Sequence, residues 1–216
     1  MPETYEQYLE LEAPSDIALS EDYIAIADQP RSGNSVIYVY QKNQAQYVCY
    51  QHDNNNAISG LNFYYAADGS VYLFFFGAIG TVSWLNCGDV SQSGTAKTTI
   101  RPYSMIICNE DIYYTQANDT YSDVYHAKIE QTDGGFNIET PAMPLQSNLS
   151  GNSAFSEYNG TVYLANGKDI YICSATKLSP WYSLSLNSVS SFAITATNEK
   201  QIAVSYTHLR AHETKA

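Results

Sequence analysis

A recurrence constrains this chain more than any other feature. Five segments share one plan: a short apolar strand, a tight polar turn, and a second strand rich in β-branched and aromatic residues. They read DIALSEDYIAIAD (16–28), GLNFYYAADGSVYLFFF (60–76), SMIICNEDIYYTQ (104–116), AFSEYNGTVYLAN (154–166) and SFAITATNEKQIAVS (191–205). Aligning Ile24, Val71, Ile112, Val162 and Ile202 gives spacings of 47, 41, 50 and 40 residues, a period near 45. The turns Ala67-Asp68-Gly69 and Asn159-Gly160 supply residues that tolerate the positive φ of a short hairpin.

Each of the first four units continues with a third strand, from Val36, Gly80, Asp123 and Asp169. A fourth follows, from Gln46, Lys97 and Phe136, and around Trp181 to Leu186. No segment carries a 3.6-residue apolar period with caps, so helix is not expected. Four antiparallel strands repeated about every 45 residues predict an all-β chain of β-propeller blades. An ordinary β-sandwich also has strands every 8–12 residues, but it lacks in-phase recurrence of a whole four-strand unit. The expected blades are 14–51, 57–101, 103–140 and 153–187, with half of a fifth at 189–204. Propellers close by pairing last blade with first, and have four to eight blades. About 4.5 blades therefore point to a parent ring of six to eight, with 5–12 as an outer closing strand. Such an open fragment is expected to be poorly soluble.

The stretch APSDIALSEDYIAIADQPRSGNSVIYVY resembles the NHL and YVTN class of propeller repeats. Pro14, Ile17, Ala18, Asp22, Ile24, Ala27, Asp28, Ile37 and Tyr40 carry the match. Later units keep the hydrophobic skeleton and lose the Ala-Asp step. The period is also similar to that of WD40-type propellers, without the Gly-His or Trp-Asp dipeptides. The final residues, 205–216, resemble translated sequencing-adapter read-through of the kind found at the ends of proteins from short-read assemblies. They are therefore expected not to be native. This removes His208 and His212, whose i, i+4 spacing fails as a zincin motif because Leu209 and Ala211 stand where Glu is needed.

Charge narrows the partners. The net charge is −12, and the first 28 residues carry eight carboxylates and no Lys or Arg. That field repels phosphate backbones and argues against nucleic acid and anionic membrane. No run approaches the roughly 20 apolar residues of a membrane span. No signal peptide is visible, so the chain is expected to be cytoplasmic, or extracellular if its true start is missing. The four cysteines stand singly with no C-x-x-C pair, which predicts small core hydrophobes and no zinc site. The N-x-[ST] tripeptides at Asn118, Asn148 and Asn159 mean little without a secretory context.

Chemistry is sparse. Function on a propeller sits on loops at one face, here 28–35, 51–57, 77–80, 101–102, 115–123, 140–152 and 165–168. On these loops Arg31, His52, Asp53, Arg101, Tyr121 and Lys168 are the candidate ligand contacts. The oxygen-rich segments 52–56 and 118–123 lack EF-hand spacing and read as Asx turns. His126 is expected on a strand as a structural histidine. Glu21-Asp22 and Glu110-Asp111 lie in hairpin turns, where adjacent carboxylates point apart and make a poor glycosidase pair. Trp84 and Trp181 fit packing between blades. No cofactor or metal is expected. The reading is a non-enzymatic scaffold that binds a protein or other macromolecule. The alternatives are a propeller enzyme, hydrolase or quinoprotein-like, with its site at the central channel, or a carbohydrate-binding lectin.

Overall fold

The computed structural model describes residues 10–42, 44, 47–53, 56–77, 80–117, 121–150 and 153–185, and the backbone of 191–196 and 200–205. The chain forms two compact units, Met1–Ala96 with Asp133–Gly135, and Lys97–Thr132 with Phe136–Ala216. All regular structure among the described residues is strand, so no helix is long and apolar enough to cross a membrane.

In the first unit, β1 (Pro14–Leu19), β2 (Tyr23–Asp28), β3 (Val36–Gln41) and β4 (Tyr47–Gln51) form an antiparallel sheet in chain order. A second sheet repeats that order with β5 (Ser59–Tyr65), β6 (Val71–Phe76), β7 (Val82–Asn86) and β8 (Ser93–Thr95). Strand alternation sends Ala18, Ala25, Ala27, Ile37 and Val39 to one face of the first sheet. There they pack with Leu61, Leu73, Phe75 and Leu85 of the second sheet. Three of those five residues are alanines, and the fully buried Phe75 packs in the same core. First strands of successive sheets lie side by side, β1 along β5. Ser15 Oγ donates to the Ile58 carbonyl at 2.8 Å, and the Leu61 amide donates to Asp16 Oδ2 at 3.0 Å. The two sheets are thus tied by polar bonds between strands as well as by the core.

In the second unit the third sheet holds β9 (Ser104–Cys108), β10 (Asp111–Ala117), β11 (Ser122–Thr132), β12 (Gly135–Ile138) and β13 (Gln146–Leu149). The fourth holds β14 (Ser153–Tyr158), β15 (Thr161–Asn166), β16 (Asp169–Ser174) and β17 (Lys177–Ser183). A hairpin of β18 (Ser191–Ala196) and β19 (Lys200–Ser205) follows. Again the first strands neighbour one another, with β14 beside both β9 and β18. Tyr113, Val124 and Leu149 pack on Val162, Leu164 and Cys173. The turn at Asn159-Gly160 has φ of 49° and 72°, the double left-handed step that the twist of a tight hairpin demands.

Several expectations change in detail. The fourth strand of the second sheet is Ser93–Thr95, not the segment from Lys97. Pattern reading misses it because Ser-Gly-Thr has no apolar signal. Glycine at 94 is what lets this strand lie on the Trp84 ring, since a Cβ there would stand 3.0 Å from the indole. Lys97 instead bridges Asn137, and its amide donates to the Phe136 carbonyl at 2.8 Å. The expected loop 140–152 contains β13, which pairs with the first half of β11. At eleven residues, β11 is long enough to hold both β12 and β13 along its outer edge. Cys87 and Cys173 are buried as expected, Cys108 is half-buried, and Cys49 is exposed on the edge strand β4. Asp111 is the first residue of β10 and not a turn residue. The closing strand expected over 5–12 lies mostly outside the described residues, and 10–12 are not in a strand. Ser205, expected in the tail, ends β19, while 206–216 lie outside the described residues.

Candidate binding face

Register decides which loops share an end of each sheet. In the first sheet Pro14 pairs with Asp28, Asp28 with Val36, and Val36 with Gln51. The start of β1, the β2–β3 loop and the end of β4 therefore lie together, and with them Arg31, His52 and Asp53. In the third sheet Ser104 pairs with Thr115 and Ala117 with Ser122, which puts Arg101 and Tyr121 at the corresponding end. In the fourth, Ser153 pairs with Asn166 and Asn166 with Asp169, so Lys168 occupies that end too.

Backbone hydrogen bonds hold these loops. The Arg31 amide donates to Glu12 Oε2 at 2.9 Å, and its side chain is exposed. The Arg101 amide donates to Gln116 Oε1 at 3.3 Å, and its own Nη1 donates to the Ile100 carbonyl at 3.0 Å. The Lys168 carbonyl accepts from the Leu184 amide at 2.8 Å while the side chain stands in solvent. Asp53 and Tyr121 are exposed. His52 differs from the others. Its amide bonds the Ser35 carbonyl, and its ring is half-buried, edge-on to Phe75 at 5.8 Å and tilted on Tyr50 at 6.4 Å. Its buried Nδ1 has no hydrogen-bond partner among the described residues. The candidates of the first unit thus share one sheet end, and so do those of the second unit on their own sheets. The ion pairs among the described residues, Asp111 with His126 and with Lys128, involve none of these candidates.

The residue that organises this end of the first sheet is buried Asp28. Its carboxylate accepts from the Ala13 amide at 2.7 Å and the Glu12 amide at 3.1 Å, pinning the entry to β1. Gln116, at the same place in the third sheet, holds the amide fifteen residues before it just as Asp28 holds Ala13. Asn166 occupies the place in the fourth sheet and donates through Nδ2 to Ser153 Oγ at 2.9 Å. In these three sheets the position holds a hydrogen-bonding side chain, whereas in the second sheet it is the buried Phe75, so a single-letter motif fades after the first repeat.

The ion-paired cluster of the described residues lies at the other end of the third sheet. Asp111 Oδ1 bonds His126 Nε2 at 2.6 Å and Lys128 Nζ at 2.8 Å. Cross-strand register makes the group, because Asp111 faces Lys128 and Tyr113 faces His126. Burial raises the Asp111 carboxyl, but hydrogen bonds from Lys128 and His126 and their charges outweigh it and hold the group below the usual carboxylate range. His126, only 12% exposed, is a paired structural side chain. Burial pushes the thiols of Cys87 and Cys173 up to about 12. Among the described residues no three His, Cys, Asp or Glu side chains gather closely enough to hold a metal ion.

No protein-family model matches the chain, and no curated protein matches it. Solved structures do. A chain of the nidogen/laminin complex superposes with a TM-score of 0.60 at 10% identity, over 88% of this chain and 71% of that one. The β-propeller domain of Cps50 (Swd1) from Myceliophteria thermophila gives 0.58 at 10% identity, over 87% and 61%. A gluconolactonase from Xanthomonas campestris gives 0.52 at 12% identity, over 89% and 68%. Likeness at these identities speaks for architecture alone. By its repeated antiparallel sheets and by these neighbours, the chain belongs to the β-propeller fold class.

Proposed function

We propose that this chain is part of a non-enzymatic β-propeller scaffold that binds a protein or other macromolecule through the loops at the β1-start end of its sheets. One observation carries the reading: exposed side chains sit on hydrogen-bonded loop backbone. Arg31, Arg101 and Lys168 each have a main-chain bond at the loop and an exposed side chain, that of Arg101 steadied by its bond to the Ile100 carbonyl. Such tips give up little backbone entropy on binding and present long, adaptable donors. Asp53 and Tyr121 add an acceptor and an exposed aromatic at the same ends of their sheets. Within the propeller class, the first repeat is nearest the NHL and YVTN pattern, and the structural duty of Asp28 supports that assignment. Because the chain spans 61% to 71% of the three solved chains compared above, a longer parent with further blades is part of the proposal.

The test uses immobilised protein for affinity capture, alongside panels of lactone, ester and glycoside substrates and a glycan array. Stoichiometric capture of a partner, lost when Arg31, Arg101 and Lys168 are changed together to Glu, is the expected result. Turnover abolished by one substitution, or a glycan bound in its place, refutes the reading.

A further inference from the structure

The four sheets end differently at their outer edges. First strands of neighbouring sheets lie side by side, β1 along β5 and β14 along β9, so the last strand of each sheet stands at the far edge. A further sheet added to such a series packs on a sheet face and leaves that edge open. Three of the four edges carry a feature that discourages another strand from pairing there. β8 is three residues long with Gly94 at its centre. The outer side of β11 is shared by two four-residue strands, β12 and β13. β17 contains Pro180 and a register shift opposite Ile170 and Tyr171. The five residues of β4 include no proline, glycine, charge or bulge, and among the described residues β4 pairs with β3 alone. Register identifies its free groups. The His52 amide donates to the Ser35 carbonyl, so Tyr50 and Val48 exchange their backbone bonds with Ile37 and Val39. The amides and carbonyls of Tyr47, Cys49 and Gln51 point the other way, out from the sheet edge. Val48 lies on the face turned to the second sheet, opposite buried Val39, and is still 42% exposed. Its exposure comes from its place at the perimeter.

We infer that β4 takes up an extended, basic peptide segment of a partner protein as a fifth, antiparallel strand. In strand addition main-chain bonds supply the affinity and alternate side chains the selectivity. Charge chooses the occupant. Residues 1–96 carry eleven carboxylates, with Arg31 and Lys42 as their only Arg and Lys. A second copy would bring its own net charge of −12 to this edge, whereas a segment with Lys or Arg is drawn to it. Exposed Asp53 stands just past the end of β4. Antiparallel pairing puts the N-terminal flank of the peptide there, so its basic residues belong at that flank. An apolar residue belongs beside Val48, where it covers the exposed side chain. The edge is separate from the loop end proposed above, so either reading can fail without the other.

The probe is the fluorescein-labelled heptapeptide RKVTVTV, titrated with the full chain and read by anisotropy. It should bind about tenfold or more tightly than EEVTVTV at about 50 mM salt, and more weakly at about 500 mM. Hydrogen exchange read by NMR should show new protection at the amides of Tyr47, Cys49 and Gln51 when the peptide binds. The amides of Val48 and Tyr50, already bonded to β3, are protected without it. Cys49→Pro removes one outward donor and spares the β3 ladder, since proline is tolerated where a strand N–H faces out. It should weaken binding by about tenfold or more. Peptides N-methylated at alternate residues, one for each parity, test the same bonds with the protein unchanged, and one of the two should lose binding while the other keeps it. Changing Arg31, Arg101 and Lys168 together to Ala should leave the binding in place. No binding at about 1 mM chain, equal binding of the acidic peptide, or protection elsewhere in the chain overturns the inference. So does binding indifferent to Cys49→Pro and to both N-methylated peptides, or a second copy on the edge, seen as doubled mass in sedimentation with the same amides protected.

Discussion

Asp111 shows how a single carboxylate couples this fold to pH. Burial raises its folded-state pKa, but hydrogen bonds from Lys128 and His126 hold it below the ordinary carboxylate value, so its contribution to stability is present above that ordinary value. It is lost as pH falls through the lower folded-state value. Asp111→Asn should therefore destabilise the chain at pH 6 by about 1 kcal/mol, since the pair is part-exposed. As pH falls through that lower value the gap should close, and chemical denaturation at a series of pH values measures it; a gap that stays constant as the solution is acidified contradicts the pairing. The thiols give a second residue-scale expectation. Cys49 should react with a maleimide in the native state. Cys87 and Cys173, with pKa pushed to about 12 by burial, should react only on unfolding, as mass spectrometry would read directly.

At the scale of the element, two positions separate the constraints on turns from those on packing. Gly160 and Gly135 both have positive φ, at 72° and 129°. A Cβ at Gly160 would meet open space, whereas one at Gly135 would stand 2.9 Å from the Trp84 ring. Gly160→Ala should cost about 1 kcal/mol from backbone strain alone. Gly135→Ala should cost about 2–4 kcal/mol, adding overpacking to strain. Equal losses in thermal melts would show that the ring gives way freely. Asp28 tests the entry to β1. Asp28→Ala leaves the Glu12 and Ala13 amides without their acceptor and should cost about 1–2 kcal/mol. Asp28→Asn keeps one acceptor and should cost less, as Asn166 fills that place in the fourth sheet.

For the whole molecule, legibility followed periodicity. Strands with alternating apolar residues, such as VIYVYQ in β3, were plain in the sequence, and their recurrence every 45 or so residues led to the propeller class. Strands whose pairing rests on backbone alone were not. SGT of β8 and QSNL of β13 carry no hydrophobic signal, and only the Trp84 ring and the length of β11 explain them. Candidate site residues were legible as loop residues. Their grouping at one end of each sheet needed register, and the duty of Asp28 needed three-dimensional contacts, since its partner amides are 15 and 16 residues away. The charged group at Asp111 was missed because turn and strand differ there by one residue.

The central claim is that recognition belongs to the loop end at which β1 begins. Its most direct measurement is the affinity of the captured partner for two variants, by isothermal titration calorimetry. The first is Arg31→Glu with Arg101→Glu and Lys168→Glu, each at the loop end of its own sheet. The second is Lys128→Glu, at the opposite end of the third sheet. The account predicts that the first weakens binding by about tenfold or more, ~1.4 kcal/mol, and the second by less than about twofold. Binding that survives the loop-end triple change and is lost with Lys128→Glu would contradict it.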